Sequence, residues 1–198
     1  MAQIILASGS SIRAALLTQA GIPFEARPAR VDEDAIKAAL LMEEATPRDV
    51  ADALAEFKAR KIAEKEPGAV VVGSDQVLEY QGRSLSKPET AEDAAKRLRT
   101  LRGKQHKLLS AVVVYHEAEP IWRYVGQVRL LMRDISDEYL SDYVARNWPG
   151  IGESVGSYKL EEEGSRLFSR IEGDYFTVLG LPLLELIGFL TQRGEIDG

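Results

Sequence analysis

A loop of small residues near the amino terminus has the side chains of a phosphate site. Ser8, Gly9 and Ser10 lie between an apolar run and a helical pattern, and Arg13 follows one turn into that helix. Free N–H groups at a helix amino terminus, hydroxyl groups and a guanidinium together form a site for phosphate. The alternative is a serine-capped helix with a solvated arginine. The pattern is neither a Walker A loop nor a dinucleotide-binding fingerprint.

Two acidic residues could hold a metal ion or take a proton. Asp75 follows the apolar run 69–73, which predicts an interior strand that stops at residues 74–76. Ligand clefts form at strand ends in open α/β sheets, so Asp75 either binds magnesium, accepts a proton from water, or simply forms a turn. Glu33 lies in the acidic run 32–34 and is either a second magnesium ligand or part of a solvated turn.

The remaining candidates are single charged or titratable side chains. Lys58 lies on a long predicted helix and Lys87 in a loop, and each either reaches a phosphate or points into solvent. The acidic run 161–163 is either a solvated loop or supplies one carboxylate that accepts N–H donors from a base. His106 and His116 flank a predicted strand, and we expect both to be loop histidines without a partner.

Composition excludes several classes of protein. The chain has 198 residues, 45% of them hydrophobic and 28% charged, which is typical of a globular protein with its own core. It has no cysteine, so thiolate chemistry and disulfides are excluded, and its two histidines argue against a multi-histidine zinc site. A net charge of −6 argues against binding to nucleic acid or to an anionic membrane. An anionic ligand must therefore meet a local cluster of cations or a metal.

Targeting signals are not evident in the sequence. The amino terminus lacks a basic segment and a long apolar run, and the longest nearly apolar stretch, 178–184, is far shorter than a membrane span. We therefore expect a cytosolic protein.

Strand and helix patterns alternate along the chain, which predicts an α/β fold. Apolar and alternating runs predict strands at 4–7, 69–73, 107–115, 121–132 and 167–171, with a turn at Glu119-Pro120. Capping residues and helical spacing predict helices after Ser10, Thr46, Thr90, Ser136 and Pro182. Because the middle of the chain is rich in strands, we expect a mixed twisted sheet flanked by helices. No repeat or long linker divides residues 1–198.

A series of short segments along nearly the whole chain resembles a set of known motifs. They are LASGSSIR at 6–13, VDE at 31–33, LAEFKA at 54–59, VGSDQV at 72–77, SKP at 86–88, LRGKQH at 101–106, VGSY at 155–158 and VLGLPL at 178–183. In this order they resemble the motifs of the Maf family of nucleotide pyrophosphatases. Each motif is short, but their agreement in register is specific.

The resemblance implies a fold, a reaction and a set of site residues. It implies a Maf-like (anticodon-binding/ITPase-like) architecture, with residues 1–198 as one domain whose two lobes surround a cleft. It implies hydrolysis of a nucleoside triphosphate between the α and β phosphates, with a divalent metal such as magnesium, manganese or cobalt. By motif position, Asp75 accepts the proton of the attacking water, and Glu33 and Asp75 hold the metal. The residues implied to bind the triphosphate are Ser8, Ser10, Arg13, Lys58 and Lys87, and the last three also count as catalytic.

Three further positions, Ile12, Gln76 and Glu161, correspond to those that distinguish base choice in the family. Members acting on dTTP and UTP are similar to one another in having Arg, Thr and Gln there, whereas the 7-methyl-GTP subgroup has an aromatic residue, Gln and Glu. Gln76 and Glu161 favour the second group, and Ile12 departs from it. A carboxylate such as Glu161 can accept from both N1–H and N2–H of guanine and suits a positively charged methylated base.

These observations predict a metal-dependent pyrophosphatase acting on 7-methyl-GTP or another modified nucleotide. Within the class, the alternative is a dTTP/UTP pyrophosphatase. Outside it, the alternatives are a nucleotide-binding regulator of cell division with little turnover and a structural interaction module. The resemblance also raises the expectation of a homodimer, and no nucleic acid or membrane partner is expected.

Overall fold

The structure is a computed structural model that describes residues 1–198. Seven strands and seven α-helices follow one another along the chain, with two short 3₁₀ helices at Gly150–Glu153 and Glu163–Leu167. The strands are β1 (Ile4–Leu6), β2 (Glu25–Ala26), β3 (Val70–Tyr80), β4 (Arg83–Leu85), β5 (Gln105–His116), β6 (Glu119–Met132) and β7 (Phe168–Glu172). The helices are α1 (Ser11–Gln19), α2 (Glu33–Met42), α3 (Pro47–Ala63), α4 (Ala91–Leu101), α5 (Asp137–Asn147), α6 (Tyr175–Val178) and α7 (Leu183–Gln192). No helix is both long enough and apolar enough to cross a membrane.

The strands form one mixed sheet, as the sequence predicts. Their order is β2-β1-β3-β5-β6-β7, and β4 pairs with β3 outside this path. β1 is parallel to β2 and β3, and the other pairings are antiparallel. The sheet therefore has a parallel part at one end and a long antiparallel meander through its middle.

The expected strand end at Asp75 is wrong, because β3 runs on to Tyr80. An antiparallel partner, β5, pairs with β3 from Val71 to Glu79 and carries the strand through the polar residues. On its other edge, β3 pairs with β1 only as far as Val72 and with β4 only from Leu78. Asp75 thus lies in the gap between these two partners, where the parallel part of the sheet ends.

Two other local predictions need correction. The acidic run 32–34 is the start of α2 rather than a turn: the Asp32 side chain accepts from the Ala35 N–H, which caps the helix. The hairpin between β5 and β6 turns at Glu117 and Ala118, both with positive φ, and not at Glu119-Pro120. Proline cannot adopt a positive φ, so Pro120 lies in β6 opposite Tyr115.

Helices cover both faces of the sheet and place the core on either side. α3 packs on one face, and a Cβ atom added at Gly73 of β3 would overlap the backbone of Ala55 and Ala59. α1 and α7 pack on the opposite face of the same region. α4 and α5 enclose a further cluster of buried side chains around the far ends of β3, β5 and β6. The close contact at Gly73 brings Lys58 on α3 beside Asp75 on β3.

Candidate active site

One cleft of about 620 Å³ lies where β1 and β4 leave β3 unpaired. Its walls come from the loop between β1 and α1, from α2, α3 and β3, and from the segment between the two 3₁₀ helices. All ten site residues singled out in the sequence line it: Ser8, Ser10, Ile12, Arg13, Glu33, Lys58, Asp75, Gln76, Lys87 and Glu161. The structure therefore brings together residues that are up to 153 positions apart in the chain.

The loop between β1 and α1 is held in shape by Arg13. Ser10 caps α1 by accepting from the Arg13 N–H at 3.5 Å. The buried Arg13 guanidinium donates through Nε to Gly180 O at 2.7 Å, and through Nη1 to Ser8 Oγ at 3.1 Å and Ser74 O at 2.9 Å. A guanidinium has five N–H donors, and only the two on Nη2 have no protein acceptor. Arg13 thus fixes the loop and keeps two donors for an anion.

At the centre of the cleft, one lysine joins two carboxylates. Lys58 Nζ donates to Asp75 Oδ1 and lies 2.7 Å from Glu33 Oε1. Lys58 and Asp75 are both buried, whereas Glu33 is half-buried at the start of α2. Burial alone would raise the pKa of Glu33, but the hydrogen bond and charge of Lys58, together with Lys37, hold that pKa below its usual value. Glu33 is therefore kept ionised.

The donor chemistry of this pair fits a hard divalent cation. Magnesium is bound in proteins by one or two carboxylates, with water and substrate phosphates completing its shell. Glu33 and Asp75 supply two carboxylates that already meet at a single cation, Lys58. No three acidic, histidine or cysteine side chains are grouped so that they could hold a metal ion by themselves. These two residues could hold a metal only together with ligands from substrate and water.

Cations outnumber acids around this centre. Lys87 lines the cleft from the loop after β4. Burial lowers the pKa of Lys87, and the positive charge of Arg13 lowers it further, whereas the negative charge of Glu33 raises it. Lys37 also lines the cleft and lies 3.7 Å from Glu33 Oε2. Lys37 was not predicted as a site residue because α2 was not predicted as a helix. Its spacing of four residues from Glu33, which places both on one helix face, is the feature that could have indicated it. This end of the cleft suits a polyanion.

The opposite end of the cleft offers hydrogen-bond acceptors. Gln76 Nε2 lies 3.0 Å from Ser110 Oγ, 3.1 Å from Thr177 O and 2.9 Å from Val178 O. Because carbonyl oxygens only accept, this atom is the amide nitrogen, and the Gln76 carbonyl oxygen is left without a protein donor. Glu161 lines the same cleft.

The acidic run 161–163 divides between the cleft and the surface. Glu161 and Glu162 line the cleft, and Glu163 does not. The hydrogen bonds from Arg146 and from the Asn147 amide to Glu163 lower its pKa to about 2. Glu163 is therefore occupied in a surface ion pair, and Glu161 and Glu162 are the two carboxylates of this run that lie at the cleft.

The prediction of two loop histidines is wrong. Both lie in β5, because this strand extends beyond its expected bounds at each end. His106 is buried, and its Nε2 lies 2.7 Å from the Tyr158 hydroxyl. Burial lowers the pKa of His106 to about 4. The Nδ1 atom of His116 lies 3.1 Å from Arg193 Nη2 at the surface.

Comparison with known proteins settles the family. The model of the family described as "Maf-like protein" matches residues 3–193. The chain belongs to the Maf family. It is 62% identical to the nucleoside triphosphate pyrophosphatase of Ruegeria pomeroyi, with 98% of each chain covered. It is 45% identical to the 7-methyl-GTP pyrophosphatase of Rhizobium meliloti, again with 98% of each covered.

A solved structure shows a more distant likeness to this Maf protein. It is a nucleoside-triphosphatase, or dITP/XTP pyrophosphatase, from Mycobacterium abscessus, with a TM-score of 0.44 and 15% identity over 98% of this chain and 94% of that one. The family match confirms the resemblance and the α/β fold that it implied. The roles of the site residues remain predictions.

Proposed function

We propose that this Maf protein hydrolyses a nucleoside triphosphate between the α and β phosphates, giving a nucleoside monophosphate and pyrophosphate. The observation that carries the proposal is the charge pattern of the cleft. Arg13, Lys37, Lys58 and Lys87 surround the carboxylate pair at one end, and acceptor groups lie at the other. Relatives named nucleoside triphosphate pyrophosphatase, at 62% and 60% identity, support the same reaction.

The cationic end of the cleft suits the triphosphate. Two free N–H donors of Arg13 and the ammonium groups of Lys37 and Lys87 neutralise charge on the phosphates, and the amino terminus of α1 adds backbone N–H groups. As the bond between the α phosphorus and its bridging oxygen breaks, negative charge grows on the leaving pyrophosphate. Cations placed before the reaction stabilise that charge more than they stabilise bound substrate.

Asp75 is the proton acceptor in this mechanism. The oxygen of an attacking water forms a bond to the α phosphorus, its proton passes to an Asp75 carboxylate oxygen, and pyrophosphate leaves with the bonding electrons. Lys58 fixes the rotamer of Asp75 through its hydrogen bond and through its second partner, Glu33. A divalent cation bound by Glu33 and Asp75 would supply further charge neutralisation on the phosphates.

We further propose a substrate with a donor-rich, positively charged base, such as 7-methyl-GTP. The Gln76 carbonyl oxygen and the Glu161 carboxylate are both acceptors, and guanine presents N1–H and N2–H donors. The base end also carries Glu153 and Glu162, against the single cation Lys159. Excess negative charge favours a cationic base. Relatives named 7-methyl-GTP pyrophosphatase, at 45% and 43% identity, support this choice.

A panel of nucleotides tests the proposal. Pyrophosphate release is measured with magnesium or manganese for 7-methyl-GTP, GTP, dTTP, UTP and CTP, and 7-methyl-GTP should be hydrolysed fastest. The Glu161→Gln variant should lose roughly tenfold to a hundredfold in kcat/KM for it, the effect of one hydrogen bond to a charged group. Glu163→Gln is the matched control, because that carboxylate faces Arg146 rather than the cleft, and should behave as wild type.

The outcomes separate the alternatives. Preference for dTTP or UTP would keep the reaction and reject the base assignment. Nucleotide binding without pyrophosphate release from any member of the panel would reject the reaction and favour a regulatory protein. No nucleotide binding would favour a structural module.

A further inference from the structure

A buried hydrogen bond lies behind the base end of the cleft and has no role in the proposed chemistry. His106 is 2% exposed and Tyr158 is 3% exposed, and His106 Nε2 lies 2.7 Å from the Tyr158 hydroxyl. The other ring nitrogen, Nδ1, is buried and has no partner. The imidazole is therefore tied to the rest of the protein by this single side-chain hydrogen bond.

Tyr158 connects this hydrogen bond to the cleft. Its side chain lines the cleft, and its ring packs edge-on against Phe168 with centroids 4.7 Å apart. The ring also covers Gly156, where an added Cβ atom would overlap it. Glu161 follows Tyr158 by three residues, and a Cβ atom at Gly164 would overlap the backbone of Lys159. We call residues 153–162 the base wall. Val155, Ser157 and Tyr158 are its buried residues with side chains, and Tyr158 is its one aromatic residue.

Side chains on one face of β5 contact both the base wall and Gln76, the other acceptor at this end of the cleft. Alternate residues of a strand share a face, so His106, Leu108 and Ser110 point the same way. His106 contacts Tyr158 in the base wall, Leu108 lines the cleft, and Ser110 Oγ accepts from Gln76 Nε2 at 3.0 Å. Four residues of strand span about 13 Å. β5 therefore sets the distance between the base wall, which carries Glu161, and Gln76, whose carbonyl oxygen is the other acceptor offered to a base.

We propose that His106 is a positioning residue for base recognition: its hydrogen bond to Tyr158 holds the base wall at a fixed distance from Gln76. The proposal rests on the proposed function, because it deepens the assignment of this end of the cleft to the base. His106 does not touch the substrate. Its loss changes which base is preferred and leaves the binding of the phosphates unchanged.

The test compares base discrimination with phosphate binding. The variants are His106→Leu and Tyr158→Phe. Each removes the hydrogen bond and leaves an apolar side chain of similar size in its place. His116→Leu is the matched control, since His116 lies on the same strand at the surface. For each variant, KM and kcat are measured for the preferred nucleotide and for UTP, and calorimetry gives the Kd of inorganic tripolyphosphate, which probes the phosphate end alone.

We expect KM for the preferred nucleotide to rise about tenfold in both variants, because each loses one oriented hydrogen bond. We expect kcat and the Kd of tripolyphosphate to stay within about twofold of wild type. Discrimination against UTP should fall by the same factor, and His116→Leu should change nothing. His106→Gln, which keeps a hydrogen-bonding group, should recover part of the discrimination. Unchanged discrimination in both variants would overturn the proposal. An equal loss of tripolyphosphate binding would also overturn it, because that indicates a general structural role.

Binding measurements distinguish a failure of this proposal from a failure of the proposed reaction on which it rests. If wild-type protein hydrolyses no nucleotide, the Kd values of a guanosine-type monophosphate and UMP replace KM. A variant that loses the difference between them supports positioning by His106 even though the reaction is rejected. A wild-type protein that binds both monophosphates equally overturns the proposal.

Discussion

Replacing Lys58 with methionine should destabilise the protein through the carboxylate that it leaves behind. Lys58 is 8% exposed and its partner Asp75 is 7% exposed, so Lys58→Met leaves a buried carboxyl group without its counter-ion. Breaking a buried ion pair in this way costs about 3–5 kcal/mol. Glu33 adds little to this cost, because it is half-buried and keeps Lys37 at 3.7 Å. For a chain of this length, where 1 kcal/mol shifts the Tm by about 2–4 °C, we expect the Tm to fall by roughly 6–20 °C.

Urea unfolding followed by circular dichroism measures this loss at neutral pH. Lys61→Met is the control: Lys61 lies one turn away on α3, is exposed, and its ammonium group donates to the backbone oxygen of Arg30 rather than to a carboxylate. Its cost should stay below about 0.5 kcal/mol. Adding Asp75→Asn to Lys58→Met should recover roughly 2 kcal/mol, because the stranded charge is removed. If Lys58→Met is no less stable than Lys61→Met, the buried ion pair is not as described.

The same variant tests the proposed metal site without any assay of activity. In Lys58→Met the carboxylates of Glu33 and Asp75 repel one another with no ammonium between them, so they should bind magnesium more tightly than in wild type. Magnesium at about 100 times its Kd should then restore close to 3 kcal/mol of stability. Sodium at matched ionic strength is the control. Equal, small effects of both salts would reject these two residues as metal ligands.

Three further predictions follow from single contacts. Gly73→Ala should cost about 1–3 kcal/mol, since a Cβ there overlaps α3, while Gly68→Ala, with open space around it, should be neutral in urea unfolding. His106 has a pKa of about 4 against 6.5 when unfolded, so protons favour the unfolded state and stability should fall by roughly 3 kcal/mol as pH drops from 6.5 to 4. His106→Leu should reduce the loss of stability over this pH range by about that amount, leaving the loss due to carboxylates with lowered pKa values such as Glu33 and Glu163. If His106→Leu keeps the full loss, or if His116→Leu reduces it instead, His106 is not the group responsible. Lys37→Ala should raise KM for the nucleotide about two- to fivefold at unchanged kcat, and an unchanged KM would remove Lys37 from the phosphate end.

Features set by neighbouring residues could be predicted from the sequence. Ser10 caps α1 through the Arg13 N–H, three residues on, and Thr46 caps α3 through Asp49 at the same spacing. Such contacts depend on the local order of residues and on little else. The starts of these helices, and with them the phosphate loop, could therefore be predicted from the neighbouring residues alone.

Features set by distant contacts could not be predicted from the residues alone. Asp75 lies within β3 because β5, more than thirty residues later, continues to pair with it. Arg13 loses three of its donors to Ser8, Ser74 and Gly180, and nothing near it in the chain indicates that. His106 finds its partner 52 residues away. The site residues that the motif resemblance singled out all line one cleft, and only the folded arrangement shows which contacts each of them makes.

Hydrolysis in water labelled with ¹⁸O tests the central claim most directly. The wild-type protein is given its preferred nucleoside triphosphate and magnesium, and the label is located in the products by mass spectrometry. Attack on the α phosphorus places one ¹⁸O atom in the nucleoside monophosphate and none in pyrophosphate. Asp75→Asn should lower the rate by roughly 10²- to 10⁴-fold, the contribution of a general base. Label in pyrophosphate or inorganic phosphate, or an Asp75→Asn variant with the wild-type rate, would contradict the mechanism.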